Sequence, residues 1–122
     1  MEPRPPARTL EDLVVWQKSH AVTLTVYRTT ADFPKHELYG LTAQMRRAAV
    51  SVAANIAEGF KRRSRTDKAR VMNIAQASLE ELRSYFILAR DLEYWKQPNF
   101  ADVDEVGRLL GAYTRSLMGP VS

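Results

Sequence analysis

The sequence predicts an all-α protein, an antiparallel up-down four-helix bundle, and three observations carry that reading. Apolar residues recur at three- and four-residue steps through four separate stretches, as one face of a helix requires. Capping-box-like pairs stand at Thr9 with Asp12, Ser64 with Asp67, and Asp102 with Glu105, each ahead of such a stretch. No stretch alternates apolar and polar residues as a half-buried strand would. Short connections between four helices give antiparallel neighbours, and 122 residues form one domain able to bury its own core.

Residues 1–8 are expected to form a disordered arm, because Pro3, Pro5 and Pro6 deny a helix its donors. The bundle is then read over 9–118, with a frayed tail over 119–122. Its first helix is expected from about Leu10 to Ala31, carrying Leu13, Trp16, His20, Leu24 and Tyr27 on its core stripe. Pro34 ends it, since the residue before proline avoids the helical region. Lys35 to Gly40 reads as a lead-in turn, and the second helix runs from about Leu41 to at least Glu58. Gly59 serves either as its left-handed cap or as an interior residue of a helix continuing toward Arg63. The third helix is expected from about Arg65 to Tyr94, with Val71, Ile74, Ala75, Ser78, Leu82, Tyr85, Ala89 and Leu92 on one stripe. Met72, Leu79 and Phe86 form a second line every seven residues beside it. After the loop at Gln97 to Asn99, the fourth helix spans about Val103 to Leu117, with Val103, Val106, Leu110, Tyr113 and Leu117 in heptad-like spacing.

Composition excludes several classes of function. Cysteine is absent, so disulfides and thiolate metal sites are ruled out. The first ten residues hold no apolar run of the kind a secretory signal needs, and no apolar segment approaches the roughly 20 residues that span a bilayer. A soluble cytoplasmic protein, with no membrane partner, is expected. A net charge of +4 and a pI near 9.6 suit an anionic partner. Charge is also unevenly placed. Lys61, Arg62, Arg63, Arg65, Lys68 and Arg70 face only Asp67, whereas Asp91, Glu93, Asp102, Asp104 and Glu105 collect later.

The second helix carries more apolar surface than one bundle needs. At 100° per residue, Gln44, Arg47, Ser51, Asn55 and Glu58 share one stripe roughly 80° wide, and alanine, valine, isoleucine and methionine fill most of the rest. A helix apolar all round is usually buried. It either occupies the centre of its own bundle or packs against another copy, and closed symmetry is the default form of such a homo-oligomer. The polar stripe is either a solvent face or a buried structural network in which Arg47 pairs with Glu58 or with Glu81 of the third helix; a buried arginine requires such a partner.

LEDLVVWQKSHAVTLTVYRTTADFP, ELYGLTAQMRRAAVSVAANIAEGFKRRS and ASLEELRSYFILARDL together resemble the four-helix-bundle proteins encoded in intervening sequences of bacterial 23S rRNA genes. The most specific piece is YGL-x-x-Q-x-RRAAVS-x-x-x-NIAEG at Tyr39 to Gly59, preceded by VWQK at Val15 to Lys18. The resemblance implies an up-down bundle assembled into a homopentameric ring. It extends to the accessory protein of diversity-generating retroelements, a basic pentameric bundle thought to bind nucleic acid.

The best functional candidate is the basic run. Arg46, Lys61, Arg62, Arg63, Arg65, Lys68 and Arg70 are expected to meet RNA or DNA phosphates at the junction of the second and third helices, without reading bases. Only Phe60 interleaves an aromatic ring with these charges. Trp16, Tyr27, Tyr39 and Tyr85 are expected in the core, and His20 is read as a hydrogen-bonded core histidine. His36-Glu37 lacks the second histidine of a zinc-protease motif, and the Glu-x-x-His pairs of di-iron bundles are missing. No enzyme, metal or cofactor is expected. The alternative function is a protein–protein interaction scaffold with no direct nucleic-acid role.

Overall fold

The computed structural model describes residues 6–118; the N-terminal arm up to Pro5 and the tail 119–122 lie outside the described residues. Four α-helices follow one another: α1 (Val14–Thr30), α2 (Leu41–Lys61), α3 (Arg65–Asp91) and α4 (Phe100–Met118), with 3-10 turns at Leu10–Asp12 and Lys35–Glu37. No strand occurs among the described residues.

Cross-helix contacts fix the topology. Thr23 on α1 reaches Ala49 on α2, while Arg46 near the start of α2 reaches Thr30 at the end of α1. Ser51 of α2 bonds Ser78 of α3, while Gly59 near the end of α2 meets Met72 near the start of α3. Arg83 of α3 pairs with Asp104 of α4, and Lys18 of α1 pairs with Glu105 at 3.0 Å. Gly107 and Gly111 of α4 lie near Leu79 and Gln76 of α3 in turn. Val14 and Val15 of α1 share a pocket with Leu109 and Tyr113, whereas Val22 and Thr25 share one with Asp102. In each neighbouring pair one chain thus advances as the other retreats, and the antiparallel bundle closes α1–α2–α3–α4 on itself.

Each boundary has a local cause. The Asp12 carboxylate accepts from the amides of Thr9 at 3.1 Å and Arg8 at 3.3 Å, which nucleates the turn before α1. These bonds, chiefly those to Thr9, hold the Asp12 carboxyl below its usual range. Glu37 reaches forward to the Leu41 amide at 3.2 Å, so α2 is started by an acid lying before Gly40 rather than by a cap residue's side chain. α2 runs through Gly59 to Lys61, which settles the two alternatives for that glycine in favour of a helix interior. Its backbone packs closely on α3: a Cβ there would lie 2.8 Å from Met72 Cε, and that methionine's end would have to shift to make room. The third helix stops at Asp91, three residues before the expected Tyr94, because Glu93 takes a left-handed φ of 64° and the Tyr94 amide turns back to Ala89 O. The fourth begins at Phe100 rather than Val103, so Asp102 sits inside its first turn, and Glu105 serves α1 instead of a cap.

Val26, Met45, Ile56, Met72, Leu82, Val106 and Leu110 form the sealed centre of the core, and each contributes on the order of 1.5–3 kcal/mol by leaving water. The stripe expected on α1 is corrected. Val15, Ser19, Val22, Val26 and Thr30 are buried, whereas His20, Leu24 and Tyr27 are exposed. Small β-branched and hydroxyl side chains let α1 approach the alanines of α2, and the bulkier stripe is left on the shoulder. Trp16 packs there at the core edge with His20 stacked on it at 4.8 Å, so His20 is not a core histidine. Tyr39 is 91% exposed and is no core residue either; it lies on the turn between the 3-10 segment and α2, outside any helix that would turn it inward. Tyr85 packs partly against the core, as expected. On α3, Met72, Leu79 and Phe86 are central, while Ile74 and Leu92 from the longer stripe are exposed.

Candidate nucleic-acid interface

The α2–α3 corner is built by a three-residue link, Arg62 to Ser64. Ser64 caps α3 by accepting the Asp67 amide at 3.0 Å. Glu58, one turn back on α2, pairs with Arg62, and Asp67 stands 3.9 Å from Arg70. Both pairs are exposed, so each is worth little and leaves its cation accessible. Lys61, Arg63 and Arg65 are exposed and have no carboxylate partner among the described residues. The corner therefore presents Lys61, Arg62, Arg63, Arg65 and Arg70 to solvent.

The other two cations expected at this site do different work. Lys68 turns inward: its ammonium donates to Phe60 O at 2.6 Å and Gly59 O at 3.3 Å and lies 5.6 Å from the Phe60 ring centroid. It satisfies the last carbonyls of α2, where a cation also answers the helix dipole. Arg46 does not belong to the corner at all. It lies fifteen residues before Lys61 on the same helix, about 22 Å along the axis. Its Nε donates to Thr30 Oγ1 at 2.9 Å, and its guanidinium sits 4.8 Å from the Tyr27 ring centroid. Sequence offered no signal for either role, because both depend on which carbonyl or hydroxyl the fold brings within reach. Phe60 is half-buried, with Lys61 and Lys68 both near its ring.

The polar stripe of α2 lies along its groove with α3, as a series of local pairs. Gln44 accepts from Arg47, and Asn55 Nδ2 donates to Ser51 O at 2.8 Å. Ser51 and Ser78 share a 2.8 Å bond across the groove. Arg47 pairs with neither Glu58 nor Glu81. Glu58 lies three turns away and takes Arg62, while Glu81 accepts the Tyr85 hydroxyl at 2.8 Å. That bond is the main cause of a raised Tyr85 pKa. The stripe is half-buried at Gln44, Ser51 and Asn55 and exposed at Arg47 and Glu58, so no charge needs a buried partner.

Among the described residues, no three His, Cys, Asp or Glu side chains converge as a metal site, and no helix is long and apolar enough to cross a membrane.

No curated protein matches the chain. Its fold is similar to a crystal structure of a protein of unknown function from the S23 ribosomal protein family of Bacteroides thetaiotaomicron. The TM-score is 0.59 and the identity 20%, over 85% of this chain and 94% of that one. At that identity the likeness bears on the fold. A model of the 23S rRNA-intervening sequence protein family matches residues 11–112, nearly the whole bundle, and on that match the chain belongs to this family.

Proposed function

We propose that the protein is a cytoplasmic, non-enzymatic, homo-oligomeric bundle that holds the backbone of RNA or DNA without reading its sequence. The observation that carries this reading is the α2–α3 corner, where Lys61, Arg62, Arg63, Arg65 and Arg70 are all exposed within ten residues and Asp67 is the only acid in that run. Cations so placed gain affinity by releasing counterions from phosphates. No aromatic ring stands free beside them, which favours phosphate contact over base stacking. Assembly is supported by the outer face of α2, where Val50 is 43% exposed beside Ala54, and by Leu24 and Tyr27 on the adjoining shoulder of α1. In an oligomer the corner is repeated, and its affinity rises through multivalency.

The test is fluorescence anisotropy of a labelled RNA and a labelled DNA duplex over a salt series. Wild-type affinity should fall steeply with salt. Reversing charge at Arg62, Arg63 and Arg65 should lower it at least tenfold and flatten the salt slope. Full affinity in that triple variant overturns the reading. The same exposed apolar face favours the alternative, a scaffold for another protein. That reading predicts a specific protein partner that stays bound after nuclease treatment.

A further inference from the structure

Arg46 falls outside the corner, and its surroundings suggest a separate site. A cavity of about 280 Å³ lies between the end of α1 and the start of α2, with Phe33, Pro34 and Leu38 as apolar walls and Lys35 on its edge. Two polar groups on its wall have unused capacity. Arg46 is half-buried with no carboxylate within 4.0 Å among the described residues. Its Nε is held by Thr30 Oγ1 at 2.9 Å and its Nη2 lies 3.4 Å from Tyr27 O, while Nη1 makes no hydrogen bond. Thr30 is itself buried and donates its hydroxyl proton to Val26 O at 2.7 Å, which leaves its oxygen free to accept from Arg46 Nε. Thr42 is only 2% exposed and lines the cavity, and its hydroxyl makes no hydrogen bond among the described residues. No sealed, unsatisfied side-chain atom exists among the described residues, so the opening left to this hydroxyl is the cavity. Both groups open onto the cavity rather than being sealed in the core, so a ligand seated there can take their free hydrogen-bonding positions.

We propose that this α1–α2 cavity binds a small organic carboxylate with an apolar body. The carboxylate takes the free N–H groups of Arg46, a planar fork that matches its two oxygens, and accepts the Thr42 hydroxyl. The hydrocarbon part packs on Phe33, Pro34 and Leu38. A pocket with mostly apolar walls and a few convergent polar groups is the usual form of a small-ligand site. One arginine against apolar walls suits a monoanion with a hydrophobic tail better than a dianionic phosphate.

The test titrates the full-length protein with sodium hexanoate, followed by amide and arginine Nε chemical shifts. Sodium phosphate is the control, and Arg46→Gln and Thr42→Val are the variants. Hexanoate should shift resonances confined to residues 30–46, the Arg46 Nε among them, with millimolar affinity. Arg46→Gln should weaken it at least tenfold, and Thr42→Val severalfold with the fold intact. Phosphate should bind much more weakly. Absence of shifts in this segment, unchanged binding by either variant, or phosphate binding as tightly as hexanoate overturns the proposal. If Arg46→Gln fails to fold, the wild-type shifts, the phosphate control and Thr42→Val still decide it. None of these outcomes depends on whether nucleic acid binds at the opposite end of α2.

Discussion

Glu93 is a non-glycine residue held at φ 64°, where an L side chain crowds its own backbone. It stays there because the Tyr94 amide bonds Ala89 O at 2.9 Å and ends α3, and because Tyr94 packs on Phe33. Glycine at this position removes the crowding and loses no polar side-chain interaction, since the exposed Glu93 carboxylate takes part in no hydrogen bond or ion pair among the described residues. Glu93→Gly should raise stability by about 0.5–1 kcal/mol, read as a higher urea midpoint with an unchanged m-value. A lower midpoint contradicts this account of the turn. Glu37 gives a second residue-scale prediction. Its carboxylate accepts the Leu41 amide and the Tyr94 hydroxyl, the latter at 3.0 Å, and the first of these does most to lower its pKa below 4.5. A lowered folded-state pKa stabilises the fold above the unfolded value and loses that contribution as pH falls through the folded value. The stability gap between wild type and Glu37→Gln should be largest near neutrality and shrink below about pH 4.5. Urea midpoints across pH 7 to 3 check this, and a gap that does not shrink rejects it. Neither role is legible in the sequence, where Glu37 and Glu93 are two surface acids among many. The role of Glu93 is created by the docking of Tyr94, and that of Glu37 by a local bond from the Leu41 amide to which the Tyr94 hydroxyl adds a second.

At the scale of the element, the four helices were legible because their periodicity is long and their stops are chemical. Pro34 bars the continuation of α1, and Ser64 with Asp67 opens α3 as the pattern implies. That cap gives an element-scale prediction: Ser64→Ala should cost about 1 kcal/mol, whereas Ser64→Asp should retain most of the stability, both by urea denaturation. Equal losses in the two variants indicate that the hydroxyl's bond to the Asp67 amide is not what holds the start of α3. Which face of α1 turns inward was not legible, because two apolar stripes run side by side along it. Hydropathy favours Leu13, Trp16, Leu24 and Tyr27. Packing favours Val15, Ser19, Val22 and Val26, whose small volumes let Thr23 Oγ1 come within 3.3 Å of Ala49 O on α2. Periodicity cannot choose between stripes that are both apolar. The α2–α3 site was legible as a cluster of charge, but not in membership: helix length removes Arg46, and the C-terminal carbonyls of α2 take Lys68.

For the whole molecule, the unresolved balance is between what the bundle buries and what it leaves in water. The sequence shows α2 to be apolar on most of its circumference. In the folded chain the inner half of that surface packs against α1 and α3, leaving Val50 and Ala54 outside, with Leu24, Tyr27 and Ile74 also exposed on the helices either side. If this face joins copies, a charge placed within it should separate them without unfolding any of them. Val50 is already 43% exposed in the single chain, so Val50→Glu should cost the isolated bundle no more than about 0.5 kcal/mol and leave its helical circular dichroism unchanged. Burying that carboxylate unpaired between subunits is far more costly, so light scattering should fall from the mass of an oligomer to that of one 13.9 kDa chain. The basic corner is untouched by this substitution. Each separated chain should therefore keep a salt-dependent affinity for nucleic acid, weaker than that of the assembly because the corners no longer act together. A variant that keeps the wild-type mass places the interface on another face. One that becomes a single chain yet binds as tightly as wild type shows that one corner suffices, and the assembly then serves some purpose other than avidity.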